Sequence, residues 1–131
     1  MGFARKLAAQ LARPRGAAGR RLGGLMDVAN RRPTRVALDM LNVRPGEWVL
    51  DAGCGTGAAL ATLLRTADYE AVGIDASETM VAAARRRVGR RARIFHRRIE
   101  ENGFADGGFD AVMALNIFYS AARKERWRRR P

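Results

Sequence analysis

Cysteine and histidine are almost absent from this sequence of 131 residues, which contains one of each, Cys54 and His96. A single cysteine excludes an internal disulfide and is typical of a reducing compartment. Zinc sites need several cysteine or histidine ligands at short spacings, so we predict no metal site. His96 falls on a predicted strand, away from the predicted binding cleft, and we interpret it as a structural histidine.

Long hydrophobic runs are also absent. No segment approaches the ~20 apolar residues that cross a membrane. The apolar run Leu7–Ala12 is too short for a signal peptide, because Arg13 and Pro14 interrupt it. We therefore predict a cytoplasmic protein. The N-terminal segment 1–32 has the pattern of a basic amphipathic helical arm, so peripheral contact with an anionic membrane surface is an alternative.

Acidic residues are few, since 13 stand against 25 basic residues and the net charge is +12. The excess forms three basic blocks: nine basic residues in 1–35, eight arginines in 85–98 and six basic residues in 123–131. Such blocks indicate an anionic partner, either nucleic acid or a membrane surface. A solvated arginine surface without a partner is the other interpretation.

Glycine is concentrated after one predicted strand. Gly53, Gly55 and Gly57 alternate directly after Val49–Asp51, which has the composition of a buried strand. Glycine has no Cβ and tolerates positive φ, so such a loop brings the backbone close to a ligand. Asp75 ends the next predicted strand about 20 residues later, where a nucleotide-binding βαβ unit places its ribose carboxylate. The pattern indicates a nucleoside site.

The same glycines also fit the dinucleotide fingerprint, with Ala58 as its last member. Asp51 lies two residues before the first glycine, and Gly57 adds a third glycine. Asp-x-Gly-x-Gly-x-Gly after a Val-Leu strand resembles motif I of the class I S-adenosylmethionine-dependent methyltransferases. The resemblance continues through 73–77 and 104–112 in the same order, and is strongest to the ubiquinone and menaquinone (type 11) branch.

The resemblance implies an S-adenosyl-L-methionine cofactor and methyl transfer to a small-molecule or lipid-like acceptor. The residues it assigns to the cofactor are Asp51, Gly53, Cys54, Gly55, Gly57, Asp75, Ala76, Met80, Ile99 and Asn116. The glycines would contact the methionine end, Asp51 would orient nearby groups, and Asp75 would accept the ribose hydroxyls. Asn116 and Tyr119 follow the fourth predicted strand, where the family places the transferred methyl, and are the catalytic candidates.

Two features depart from the family. The acidic residue that usually contacts adenine after the third strand is replaced by Arg98. The sequence also ends soon after the fourth predicted strand, whereas the family continues to seven, so we expect a truncated member, a non-catalytic fragment or half of an assembly. An RNA methyltransferase or a basic binding module is the alternative function.

Alternating strands and helices predict a Rossmann-like parallel α/β sheet of order 3-2-1-4 in a domain 33–120, between the arm 1–32 and a basic tail 121–131. The predicted strands are Trp48–Asp51, Glu70–Asp75, Ala92–His96 and Phe109–Leu115. Helices are predicted from about Arg20 to Asn30, from Pro33, from Thr56 and after a Ser77 cap. The exposed Phe109–Leu115 edge is expected to pair with another chain.

Overall fold

A computed structural model describes residues 15–29 and 31–115 of the chain. The helices are α1 (Gly16–Ala29), α2 (Arg31–Leu41), α3 (Ala58–Leu64) and α4 (Glu78–Val88), with 3₁₀ turns at Gly89–Arg91 and Ile99–Glu101; the strands are β1 (Trp48–Ala52), β2 (Glu70–Asp75), β3 (Ala92–His96) and β4 (Ala111–Met113). Asn116, Tyr119, the tail 121–131 and a predicted helix over Phe3–Leu11 lie outside the described residues. None of the described helices is long and apolar enough to cross a membrane.

The four strands form one parallel sheet of order β3-β2-β1-β4, which confirms the predicted topology. β1 and β2 occupy the centre and are almost wholly buried. Parallel strands joined by helices require right-handed crossovers, which bring all the carboxyl ends to one edge. That edge carries the glycine loop, which follows β1, and Asp75, which ends β2.

The predicted strand Phe109–Leu115 is wrong in its bounds, because β4 comprises only Ala111–Met113. Where the strand was predicted to start, a hydrogen bond to a side chain takes the place of the regular backbone ladder. Asp110 Oδ2 accepts from the Trp48 N–H at 2.8 Å, and the Asp110 N–H donates to the Trp48 carbonyl at 2.9 Å. Asp110 thereby sets the register of β4 against β1, and the regular ladder begins one residue later.

Three helix starts also differ from prediction, and one of them is that of α2, which begins at Arg31 rather than at Pro33. α1 begins at Gly16 rather than at about Arg20, and it runs through Gly23 and Gly24 without a break. α3 begins at Ala58 rather than Thr56, because Gly57 adopts a left-handed conformation with φ 80°. The predicted Ser77 cap is confirmed, since its side chain accepts from the backbone N–H of Met80.

The core has two layers, one on each face of the sheet. On one face, α3 and α4 pack on the strands through a cluster of Cys54, Ala59, Leu60, Leu64, Ala71, Val81, Ala84, Val88, Ile94 and Met113. The other face buries Leu50, Ala52, Val72 and Ile74 under Phe95, Ile99, Phe104 and Phe109. Both layers hold β1 and β2 rigidly, so the loop and the carboxylate at their ends are fixed relative to each other.

Candidate functional site

The glycine loop is tied to the end of β2 by its own backbone. The N–H groups of Gly53 and Cys54 both donate to the Ile74 carbonyl, at 2.8 and 2.9 Å. Gly53 and Gly55 have φ values of 76° and 55°, a region that costs other residues about 1 kcal/mol or more. The loop therefore depends on glycine, and its backbone is held close to the carboxyl end of the neighbouring strand.

Asp75 joins the loop to the start of α4. Its Oδ2 accepts from the Gly55 N–H and its Oδ1 from the Ser77 N–H, both at 2.9 Å. Burial raises the pKa of Asp75, and these two hydrogen bonds counteract the rise. Each carboxylate oxygen has a second lone pair, so Asp75 retains acceptor capacity for two hydroxyl groups.

Asp51 is the most unusual side chain of the site. It is 1% exposed, and neither of its carboxylate oxygens has a hydrogen-bond partner among the described residues. Burial, and then the negative charge of Asp75, raise the pKa of Asp51 to about 7. It lies opposite Gly73 in the β1–β2 register. Since buried carboxylates are normally hydrogen-bonded, Asp51 is poised to receive a donor or a cation.

A cavity of about 340 Å³ opens beside Asp75 and is lined by Ala76, His96, Arg97, Arg98 and Glu101. His96 pairs with Asp75 in the β2–β3 register, and its Nε2 donates to the Ala76 carbonyl at 2.9 Å. The expectation that His96 lies away from the cleft is therefore wrong. β3 ends level with β2, which brings its last residue to the carboxyl edge.

One wall of this cavity is built on an arginine that the sequence did not single out. The Arg97 guanidinium lies 4.6 Å from the Phe95 ring centroid and 5.2 Å from that of Phe104, and it donates to the Asn102 carbonyl at 2.7 Å. These contacts fix the turn that carries Glu101 to the cavity. The sequence analysis placed Arg98 at the family's adenine-contacting position and did not indicate Glu101. Only the 3₁₀ turn brings Glu101 to the cavity.

Several predicted site residues use their side chains for packing. Cys54 is 1% exposed in the core, where burial raises the pKa of its thiol. Met80 is 2% exposed, and Ile99 packs against the second hydrophobic layer. A Cβ on Gly57 would lie 3.1 Å from the Ala84 Cβ, so this glycine permits close packing of the loop on α4. Gly53, Gly55, Asp51, Asp75 and Ala76 are the predicted residues brought together at the edge.

A hydrogen-bonded network behind the loop was also missed by sequence reasoning. Thr56 Oγ1 donates to Asp27 Oδ2 at 2.5 Å, and Arg87 Nη1 lies 3.3 Å from that oxygen and 3.2 Å from Thr56 Oγ1. Three distant segments meet here, and α1 is thereby joined to the glycine loop. The sequence did offer one signal for this network, because Asp27 is the lone acidic residue of the basic block 1–35.

Comparison with known proteins gives the family. Residues 49–129 match the model of a methyltransferase domain. Demethylmenaquinone methyltransferase from Tropheryma whipplei is 43% identical over 84 residues, which are 62% of this chain and 34% of that protein. A chain in the complex of the Haloferax volcanii Trm112 methyltransferase activator with a methyltransferase superposes with a TM-score of 0.68 at 28% identity, covering 75% of this chain and 43% of that one.

Geranyl diphosphate C-methyltransferase from Streptomyces coelicolor, solved with S-adenosyl-L-homocysteine, has the same fold at 20% identity, with a TM-score of 0.59 and coverage of 64% of this chain and 32% of that one. The chain spans well under half of the length of these relatives. Its matched segment covers more than half of its own residues and contains the glycine loop and both carboxylates. The chain belongs to the class I S-adenosylmethionine-dependent methyltransferase family.

Proposed function

We propose that the carboxyl edge of the sheet binds S-adenosyl-L-methionine and that the protein transfers its methyl group to a small-molecule or lipid-like acceptor. The observation that carries the proposal is the Asp51 carboxylate, buried beside the glycine loop with no hydrogen-bond partner in residues 15–29 and 31–115. A buried carboxylate of this kind destabilises the fold unless a ligand supplies a cation or donors. The ammonium group at the methionine end of the cofactor is a cation and also carries hydrogen-bond donors.

The remaining features of the edge suit the rest of an adenosyl group. Asp75 lies about 20 residues after the glycines, which is the spacing of a ribose-binding carboxylate. Its free lone pairs would accept hydrogen bonds from the two ribose hydroxyls. The cavity beside it lies between Ala76 and Glu101. We assign the adenine ring to this cavity, with Glu101 accepting from the exocyclic amine in place of the residue that Arg98 replaces.

Methyl transfer from a sulfonium is an in-line displacement. The acceptor's lone pair forms the new bond to carbon as the carbon–sulfur bond breaks, and that electron pair stays on sulfur. The protein contributes chiefly by holding the donor in line with the acceptor. In this chain β1 and β2 would hold the donor through Asp51, the loop and Asp75. Asn116 and Tyr119, which follow β4, remain the proposed residues near the methyl.

The proposed acceptor class comes from the relatives. The relative from Tropheryma whipplei is named a demethylmenaquinone methyltransferase, which specifies a small-molecule quinone acceptor. We propose a cytoplasmic location with peripheral membrane contact through the basic N-terminal arm. Flotation with anionic vesicles would test this contact, with neutral vesicles as the control. Retention on RNA instead of vesicles would favour the nucleic-acid alternative.

The proposal is tested by calorimetry with S-adenosyl-L-methionine. The wild type is expected to bind at one site, and Asp75→Ala is expected to weaken binding at least about tenfold, because a hydrogen bond to a charged group contributes ~1.5–3 kcal/mol. Asp106→Ala, an exposed carboxylate in the loop before β4, is the matched control and should bind like the wild type. A folded wild type that produces no heat, or equal losses in both variants, would refute the proposal.

A further inference from the structure

A second cavity, open to solvent, lies beside α3 and is lined by residues of α1, α2, α3 and the C-terminal end of α4. Its volume is about 710 Å³, within the range of small-molecule sites. None of its lining residues lines the cavity beside Asp75. It is therefore a separate space, and nothing in the proposed methyl transfer requires it.

The lining of this second cavity is strongly basic. Its charged residues are Arg31, Arg35, Arg65, Arg87, Arg91 and Asp27. Five guanidinium groups thus face one carboxylate. Guanidinium groups keep their charge at all physiological pH values, so the lining presents a net positive charge to a ligand.

The carboxylate is already engaged. Asp27 accepts from Thr56 at 2.5 Å and pairs with Arg87 at 3.3 Å, so it does not neutralise the other four arginines. Arg91 donates to the Leu64 carbonyl and lies 3.5 Å from Asp68, whose side chain is fully exposed. An ion pair of that kind contributes little.

The guanidinium groups of Arg31 and Arg35 have no hydrogen bond or ion pair within the part of the chain that the structure describes. They are four residues apart on α2, so both lie on the same side of the helix. Thr34, half-buried between them, also lines the cavity. The helix therefore presents two guanidinium forks and a hydroxyl to one space.

We propose that this cavity binds a soluble small molecule that carries two or more phosphate groups. Guanidinium forks bind phosphate oxygens through paired, charge-assisted hydrogen bonds. A single phosphate would leave most of the arginines unpaired, whereas a diphosphate spans more of them. The ligand would also join α2 to Arg65 and Arg91, which follow α3 and α4 on the other sides of the cavity.

Titration calorimetry of the full chain with inorganic pyrophosphate tests the site at physiological ionic strength, where exposed charges are screened. The wild type is expected to bind at one saturable site. Arg31→Ala/Arg35→Ala should weaken binding by about tenfold or more, the effect of losing one charge-assisted hydrogen bond. Arg86→Ala/Arg90→Ala removes the same charge from exposed positions outside the cavity and should change the affinity less than about twofold.

Circular dichroism would establish that both double variants are folded, and Arg35→Glu provides a second variant with the same expected loss. The proposal would be overturned if pyrophosphate showed no saturable binding, or if both double variants lost affinity equally. Vesicles containing a phosphorylated lipid distinguish the source: a soluble ligand predicts no flotation that depends on Arg31 and Arg35. Binding of single-stranded RNA that is lost with these arginines, without pyrophosphate binding, would also overturn the proposal.

Discussion

Two carboxylates at the carboxyl edge have opposite local environments. Asp75 accepts two backbone hydrogen bonds, whereas Asp51 accepts none from the described residues and is buried. The first environment holds the glycine loop in shape, and the second stores unfavourable free energy at the site. Such stored free energy is typical of binding sites, where the ligand supplies the missing partner.

Replacing Asp51 with Asn should change how stability depends on pH. The folded pKa of Asp51, about 7, lies above the ordinary value of 3.8, so between these pH values the folded state holds a proton that the unfolded state has released. The stabilising contribution of this proton is complete below pH 3.8 and is lost as the pH rises through about 7. The loss is about 4 kcal/mol. Urea titrations from pH 4 to pH 8 should show a smaller decline in Asp51→Asn than in the wild type.

Asp106→Asn is the control for this experiment, because Asp106 is exposed. It should retain the wild-type decline in the free energy of unfolding. Identical pH profiles for Asp51→Asn and wild type would contradict a raised pKa at Asp51. The sequence predicted that Asp51 is a site residue. That no described residue bonds its carboxylate follows from the positions of all its neighbours, which the sequence does not specify.

At the scale of elements, α1 is held against the domain by hydrogen bonds that the spacing of its apolar residues does not predict. The Gly16 N–H donates to Thr79 Oγ1 at 3.2 Å, and Asp27 bonds Thr56 in the glycine loop. Gly23 lies between these contacts, and a Cβ there would be 2.9 Å from Thr56 Cγ2 and 3.3 Å from Met80 Sδ. Gly23 lowers the helix propensity of α1, but it permits the close packing of α1 on the loop.

The two glycines provide a matched pair of substitutions. Gly24→Ala should stabilise the protein by about 0.8–1 kcal/mol, since its Cβ would meet no atom within 4 Å and alanine is the better helix former. Gly23→Ala gains the same propensity but is overpacked, at a cost of about 1–3 kcal/mol. Chemical denaturation should thus rank Gly24→Ala above Gly23→Ala by about 1–3 kcal/mol. Equal free energies of unfolding would mean that α1 is not closely packed on the loop.

The bounds of the elements show which local signals suffice. Glu70–Asp75 and Ala92–His96 were predicted correctly. The first is an apolar run bounded by turns, which specifies a buried strand, and the second follows from the alternation of helices and strands. The fourth strand was predicted too long, because Asp110 bonds Trp48 and delays the ladder. That bond joins residues 62 positions apart, which a local pattern does not encode.

At the scale of the whole molecule, β4 is an outer strand of the described sheet. Its central residue, Val112, is 55% exposed. Unprotected outer strands offer backbone groups to other chains, so the predicted pairing through this strand remains a prediction. The division into arm 1–32, domain 33–120 and tail 121–131 also remains one.

Val112→Lys should reduce self-association, because a lysine on an outer strand opposes pairing of two sheet edges. Sedimentation over a range of protein concentrations is expected to show a wild type that associates and a Val112→Lys variant that stays monomeric. Leu25→Lys is the control, since Leu25 is 69% exposed on α1, away from the sheet. A monomeric wild type, or equal effects of both lysines, would contradict pairing through β4.

The sequence by itself determined the parallel sheet, its order and the position of the glycine loop and Asp75, because these follow from local patterns and a fixed crossover handedness. Only the tertiary structure decided that His96 and Glu101 reach the edge, that Asp27 joins α1 to the loop, and that five arginines surround one cavity. These depend on how separate segments pack. The distance between two side chains is a property of the whole fold, which no spacing along one segment specifies.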